Sequence, residues 1–111
     1  MTTFAAYTVA LDLARALRPV IEQLKAHNRE LADQLERAST SIVLNVAEGA
    51  RRHGKDPVRF YWIASGSASE ILAALDLASI WHRVDDSAVR PLLDRQRRLL
   101  WGLTHKREKR A

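Results

Sequence analysis

Apolar residues recur along this chain at steps of three and four, and four such runs divide it. In the first, Val9, Leu13, Ala16, Leu17, Val20 and Leu24 form one stripe from about residue 7 to 26, the spacing of a helix that buries a single face. Pro19 falls inside it. An interior proline removes one backbone hydrogen bond and crowds the preceding turn, so the pattern predicts a kink there or a restart near Arg18. His27-Asn28 predicts the stop. In the second run, about 29 to 52, Leu31, Leu35, Ala38, Ile42, Asn45 and Gly49 alternate four- and three-residue steps, the seam spacing of a bundle. Val43, Leu44, Val46 and Ala47 add apolar residues on almost every side, which predicts a second buried face.

His53-Gly54-Lys55-Asp56-Pro57 predicts a turn. Gly54 permits a left-handed helix end, Asp56 is a candidate cap for the next helix, and Pro57 suits its first position. The third helix, about 57 to 82, carries Val58, Tyr61, Ala64, Ala68, Ile71, Leu72, Leu75 and Ala78 on its main stripe, widened by Phe60, Ile63, Ala74, Leu77 and Trp81. It too predicts burial on two sides. Val84-Asp85-Asp86-Ser87 reads as the last turn, with Asp86 or Ser87 as cap and Pro91 tolerated in the first turn. The fourth helix, about 88 to 105, carries Val89, Leu92, Leu93, Gln96, Leu99, Leu100 and Leu103, and residues 106–111 form a basic tail that should fray. Short turns place consecutive helices side by side, so the expected fold is all-α: one up-down-up-down antiparallel four-helix bundle over residues 1–111.

Composition narrows the chemistry. With 111 residues one core is feasible, and 47% apolar with 28% charged residues is a globular balance. The absence of cysteine excludes disulfides, thiol catalysis and Cys-ligated metals. No run approaches the roughly 18 consecutive apolar residues of a membrane span, and Met1-Thr2-Thr3-Phe4 lacks the basic start of a signal peptide. A soluble, cytoplasmic protein without a membrane partner is expected.

The formal charge of +5 is local. Arg51, Arg52, His53 and Lys55 sit at mid-chain, and Arg90, Arg95, Arg97, Arg98, Lys106, Arg107, Lys109 and Arg110 load the last quarter. Such clusters either contact phosphates, releasing counterions, or form a solvated face and tail. Both readings stand at this point. Trp62, Trp81 and Trp101 likewise read either as base-stacking groups beside arginines or, by their helical spacing, as core or interface anchors. The spacing favours anchors, and surface exposure would reverse that preference.

Enzymatic readings find little support. None of His27, His53, His82 or His105 follows a Glu by three residues, as bundle di-iron sites require. Ser41, Ser67 and Ser69 lack a nucleophile elbow, and Glu48 with Glu70 reads more simply as structural than as an acid/base pair. Gly49, Gly54, Gly66 and Gly102 match no phosphate-binding spacing. No enzyme, metal or cofactor is expected. Ser41, Asn45 and Glu48 instead share one side of helix two. In a hairpin turning near Gly54, position 41 lies opposite Ser67 to Ala68 and position 45 opposite Ala64 to Ser65. Asn45 is thus expected to meet the Ser65-Gly66-Ser67 patch, Gly66 to permit close helix approach, and Glu48 to bond Arg52, Tyr61 or a neighbouring chain. Such a polar network would set register and assembly.

The motif residues are Gln34, Leu35, Arg37, Ala38, Ser41, Ile42, Asn45, Ala47, Glu48 and Gly49, followed by Arg59, Phe60, Ile63, Ala64, Gly66, Ser67 and Glu70. In these the chain resembles the bacterial four-helix bundle proteins encoded by intervening sequences in 23S ribosomal RNA genes, and more distantly the accessory variability protein of diversity-generating retroelements. The resemblance implies a four-helix bundle assembled as a ring-shaped homopentamer, which would account for the second apolar faces, and no particular activity. Ser65 departs from the family where Arg or Lys is frequent, which weakens a phosphate contact there; Tyr61 replaces a frequent Leu, and Pro57 an acidic or aromatic residue. The expected function is a non-enzymatic homo-oligomeric scaffold or adaptor. It would bind RNA or DNA through Arg51, Arg52, Lys55, Arg95, Arg97, Arg98, Lys106, Arg107, Lys109 and Arg110. The alternatives are an accessory subunit for another protein, such as a reverse transcriptase, or an oligomer with a small-ligand cavity beside Asn45 and Glu48.

Overall fold

A computed structural model describes residues 2–52 and 56–105. They form four helices: α1 (Thr2–Lys25), α2 (Arg29–Arg51), α3 (Pro57–Trp81) and α4 (Val89–Thr104). Among the described residues each helix packs on two others, α1 on α2 and α4, and α3 on α2 and α4. The four therefore surround one core, in which Leu13, Leu17, Leu24, Leu35, Ile42, Ile71, Leu75, Leu93 and Leu100 are fully buried. Each such side chain withdrawn from water contributes about 1.5–3 kcal/mol. Residue numbers on the α3 side fall as those on the α2 side rise: Asn28, just ahead of α2, meets His82, just after α3, Ser41 meets Ser67, and Gly49 meets Tyr61.

Three helix ends differ from expectation. First, α1 begins at Thr2 and continues through Pro19 without restarting at Arg18. Leu17, Val20, Ile21 and Leu24 stay buried on both sides of the proline, so packing outweighs the single lost hydrogen bond. Second, Asp56 occupies the N-cap of α3 but its side chain makes no capping bond, and Pro57 opens the helix. Third, α4 is capped by neither Asp86 nor Ser87; Ala88 holds the N-cap position. Asp85 Oδ1 accepts from the Ser87 amide and hydroxyl instead, while the Asp86 carbonyl accepts from the amides of Val89 and Arg90. The cap that does form is Asn28, whose Oδ1 accepts from the Leu31 amide at 3.1 Å. Asn28, expected as the stop after α1, thus also caps α2.

The loop between α3 and α4 is fixed by Arg90, which donates to Asp76 on α3 and to Asp86 ahead of α4, each at 2.9 Å. These bonds, the Asp76 contact foremost, raise the guanidinium pKa further. Gln96 is fully buried, and its Nε2 donates to the Ala6 carbonyl at 3.0 Å, tying α4 to α1. Its Oε1 has no partner among the described residues.

α3 is long and apolar enough, by length and mean hydropathy, to cross a membrane. No run of consecutive apolar residues reaches that length, because Ser, Gly and Asp interrupt the helix. Ala64, Ala68, Ile71, Leu75 and Ala78 of α3 lie in the bundle core, and a core helix meets the same length and hydropathy criterion.

Candidate interaction surfaces

The expected polar seam is present, wired differently. Ser67 Oγ donates to Ser41 Oγ at 2.9 Å, which bears out the opposition of positions 41 and 67. Asn45 does not reach the Ser65-Gly66-Ser67 patch itself. It turns back along α2, its Nδ2 donating to the Ser41 carbonyl at 2.8 Å and to Ser41 Oγ at 3.1 Å. Ser41 is thus the hub, and Asn45 reaches α3 only through it. Short helical side chains that bond the preceding turn are common, since the i−4 carbonyl is the nearest acceptor.

The close approach between α2 and α3 falls at Gly49, not Gly66. A Cβ on Gly49 would lie 2.5 Å from Tyr61 Cε1, whereas one on Gly66 would meet nothing within 4 Å. Gly66 lies on the exposed side of α3. The buried Tyr61 ring fills the space that Gly49 leaves, a pairing that the Tyr-for-Leu departure at position 61 signals in the sequence.

Glu48 accepts from Arg51 Nη2 and Arg52 Nε, both at 2.9 Å, and not from Tyr61. The Arg51 bond, then the Arg52 bond, lowers its pKa below the ordinary carboxylate value. A carboxyl depressed on folding contributes stability that is complete above its unfolded pKa and is lost as pH falls through the folded value. A Glu48→Gln variant is therefore expected to be slightly less stable than the wild type at neutral pH, with the difference closing on the acid side. Thermal midpoints across an acid titration check this, and a constant difference would contradict it.

Phe60 is flanked by two cations, the Arg52 guanidinium 4.9 Å and the Arg59 guanidinium 5.0 Å from its ring centre. Arg51 and Arg52 are therefore already engaged. Arg95 and Arg97 are exposed, and Arg98 is paired with Asp94. Gln34, Arg37 and Glu70 are also exposed. Lys55, Lys106, Arg107, Lys109 and Arg110 lie outside the described residues, as do His53 and Gly54.

The tryptophans overturn the preference for core anchors within the chain: Trp62, Trp81 and Trp101 are 50%, 69% and 62% exposed. Leu77 and Ile80 are exposed beside Trp81, and Leu44 is exposed on α2. The expected second face of α3 thus stays open in a single chain, whereas on α2 Leu44 alone of Val43, Leu44, Val46 and Ala47 is exposed, Val46 lying in the bundle core with Val43 packed against it. Among the described residues no group of three or more His, Asp or Glu side chains is placed to hold a metal ion. A groove of about 290 Å³ lies between α1 and α2, lined by Arg18, Glu22, Glu36 and Thr40 and away from Asn45 and Glu48.

No curated protein matches the chain. The model of the 23S rRNA-intervening sequence protein family matches residues 2–104, a span that takes in all four helices, and the chain belongs to that family.

Proposed function

We propose that the chain is a non-enzymatic scaffold, an up-down-up-down bundle that assembles with copies of itself as a ring-shaped homopentamer. One observation carries this reading. The outer side of α3 exposes Leu77, Ile80 and Trp81 within two turns, with Ile80 and Trp81 the two most exposed large apolar side chains described. Apolar side chains gathered in this way on a small chain mark an interaction surface. A copy of the same chain is the occupant, because a closed ring hides the patch on every subunit. Nucleic acid is the additional ligand, held at low affinity per subunit by the exposed arginines and multiplied around the ring.

Assembly links stability to concentration. The thermal midpoint is expected to rise as protein concentration is raised about a hundredfold. A midpoint independent of concentration over that range would count against self-association.

A further inference from the structure

At the end of the bundle where α3 begins and α4 finishes, three aromatic rings meet. The His105 imidazole stacks on Trp101 with ring centres 4.1 Å apart and planes 10° from parallel. It meets Trp62 edge-on at 5.4 Å and 60°. His105 Nδ1 lies 3.0 Å from both the Trp101 carbonyl and Thr104 Oγ1, which holds the ring in place. One face of the Trp101 indole is therefore covered, while the side chain as a whole remains 62% exposed. The result is a short aromatic stack with an open end.

Cations border it. Arg59 precedes Trp62 by one helical turn, and Arg97 and Arg98 precede Trp101 by one turn. Arg59, whose guanidinium flanks the Phe60 ring, and Arg97 form no ion pair with a described residue. An acidic protein surface would neutralise these arginines and leave the indole face unused. A duplex would engage the arginines alone, because its base faces are closed by stacking. Single-stranded nucleic acid matches both components, with bases that stack on aromatic faces and phosphates that pair with cations.

We propose that Trp101, His105 and Trp62 form a stacking platform for the bases of single-stranded nucleic acid, with Arg59 and Arg97 as its phosphate contacts. The proposal rests on nucleic acid being a ligand of the scaffold and adds the strandedness and the site. The Ile80–Trp81 patch lies about 27 Å further along α3 at 1.5 Å per residue, so assembly there leaves the platform open.

The test uses the full chain at low salt with a mixed-sequence RNA oligonucleotide, the matching DNA oligonucleotide and the duplex of each. Single strands are expected to bind and to quench indole fluorescence. Trp101→Ala should weaken single-strand binding about tenfold, the scale of one lost stacking contact, and leave duplex binding unchanged. Trp101→Phe should retain most of the single-strand affinity. Reversing charge with Arg97→Glu and Arg98→Glu should weaken both forms. Circular dichroism confirms folding, since Trp101 lies outside the core. If Trp101→Ala binds single strands as the wild type does while charge reversal weakens binding, the platform is wrong and the electrostatic reading survives. If neither single strand nor duplex binds, both fail.

Discussion

Replacing Gly49 with alanine is expected to destabilise the chain by up to about 2 kcal/mol, the cost of overpacking a filled interior less the helix-propensity gain of alanine. The added Cβ would lie 2.5 Å from Tyr61 Cε1, 2.9 Å from Cζ and 3.1 Å from Cδ1. These atoms belong to a rigid ring that is only 5% exposed, so no flexible tip can swing aside. Either the ring leaves its place or α2 and α3 separate locally. Helix propensity acts the other way by about 1 kcal/mol in favour of alanine, which makes the sign of the result informative. Denaturant unfolding should show a lower midpoint with an unchanged slope. Tyr61→Leu in the same chain should recover most of the loss, because removing the ring removes the clash. A Gly49→Ala variant about 1 kcal/mol more stable than the wild type, the helix-propensity gain alone, would show that α2 and α3 are not in close contact there.

Placing a carboxylate at Leu77 or Ile80 is expected to dissociate the assembly and leave the fold intact. The two side chains are 45% and 71% exposed in the single chain, and substitutions at exposed sites outside special features usually change stability by no more than about 0.5 kcal/mol. In an assembly that covers them, the same carboxylates would be buried without partners, a cost of several kcal/mol per subunit. Leu77→Glu and Ile80→Glu should therefore keep the helical circular dichroism of the wild type while shifting its mass towards that of one chain. Leu77→Ala, which removes apolar area without adding charge, should weaken assembly less. An Ile80→Glu variant that assembles like the wild type would move the interface away from this patch.

Much of this architecture is legible in the sequence because it depends on periodicity. Leu13, Leu17, Leu35, Ile42, Ile71, Leu75, Leu93 and Leu100 follow helical spacing, and all are buried. The opposition of Ser41 and Ser67 follows from counting back from the turn near Gly54. What periodicity misses is the choice between neighbouring acceptors or neighbouring glycines. Asn45 finds a nearer carbonyl on its own helix, and the glycine that matters is the one facing a large ring. The cap of α4 is hard to place from sequence because several short polar residues adjoin: Ser87 bonds back to Asp85, and the Asp86 carboxylate takes the Arg90 side chain in place of a backbone amide. The aromatic end was illegible for another reason. Trp62 and Trp101 sit at helical spacing like core residues, and only the packed helices place both beside His105 and leave them exposed.

Light scattering on the wild-type chain tests the central claim most directly. The account predicts a particle of five times the 12.6 kDa chain mass, stable to dilution through the micromolar range. A particle with the mass of a single chain would contradict it, because the Leu77–Trp81 patch would then stand open with no copy to cover it.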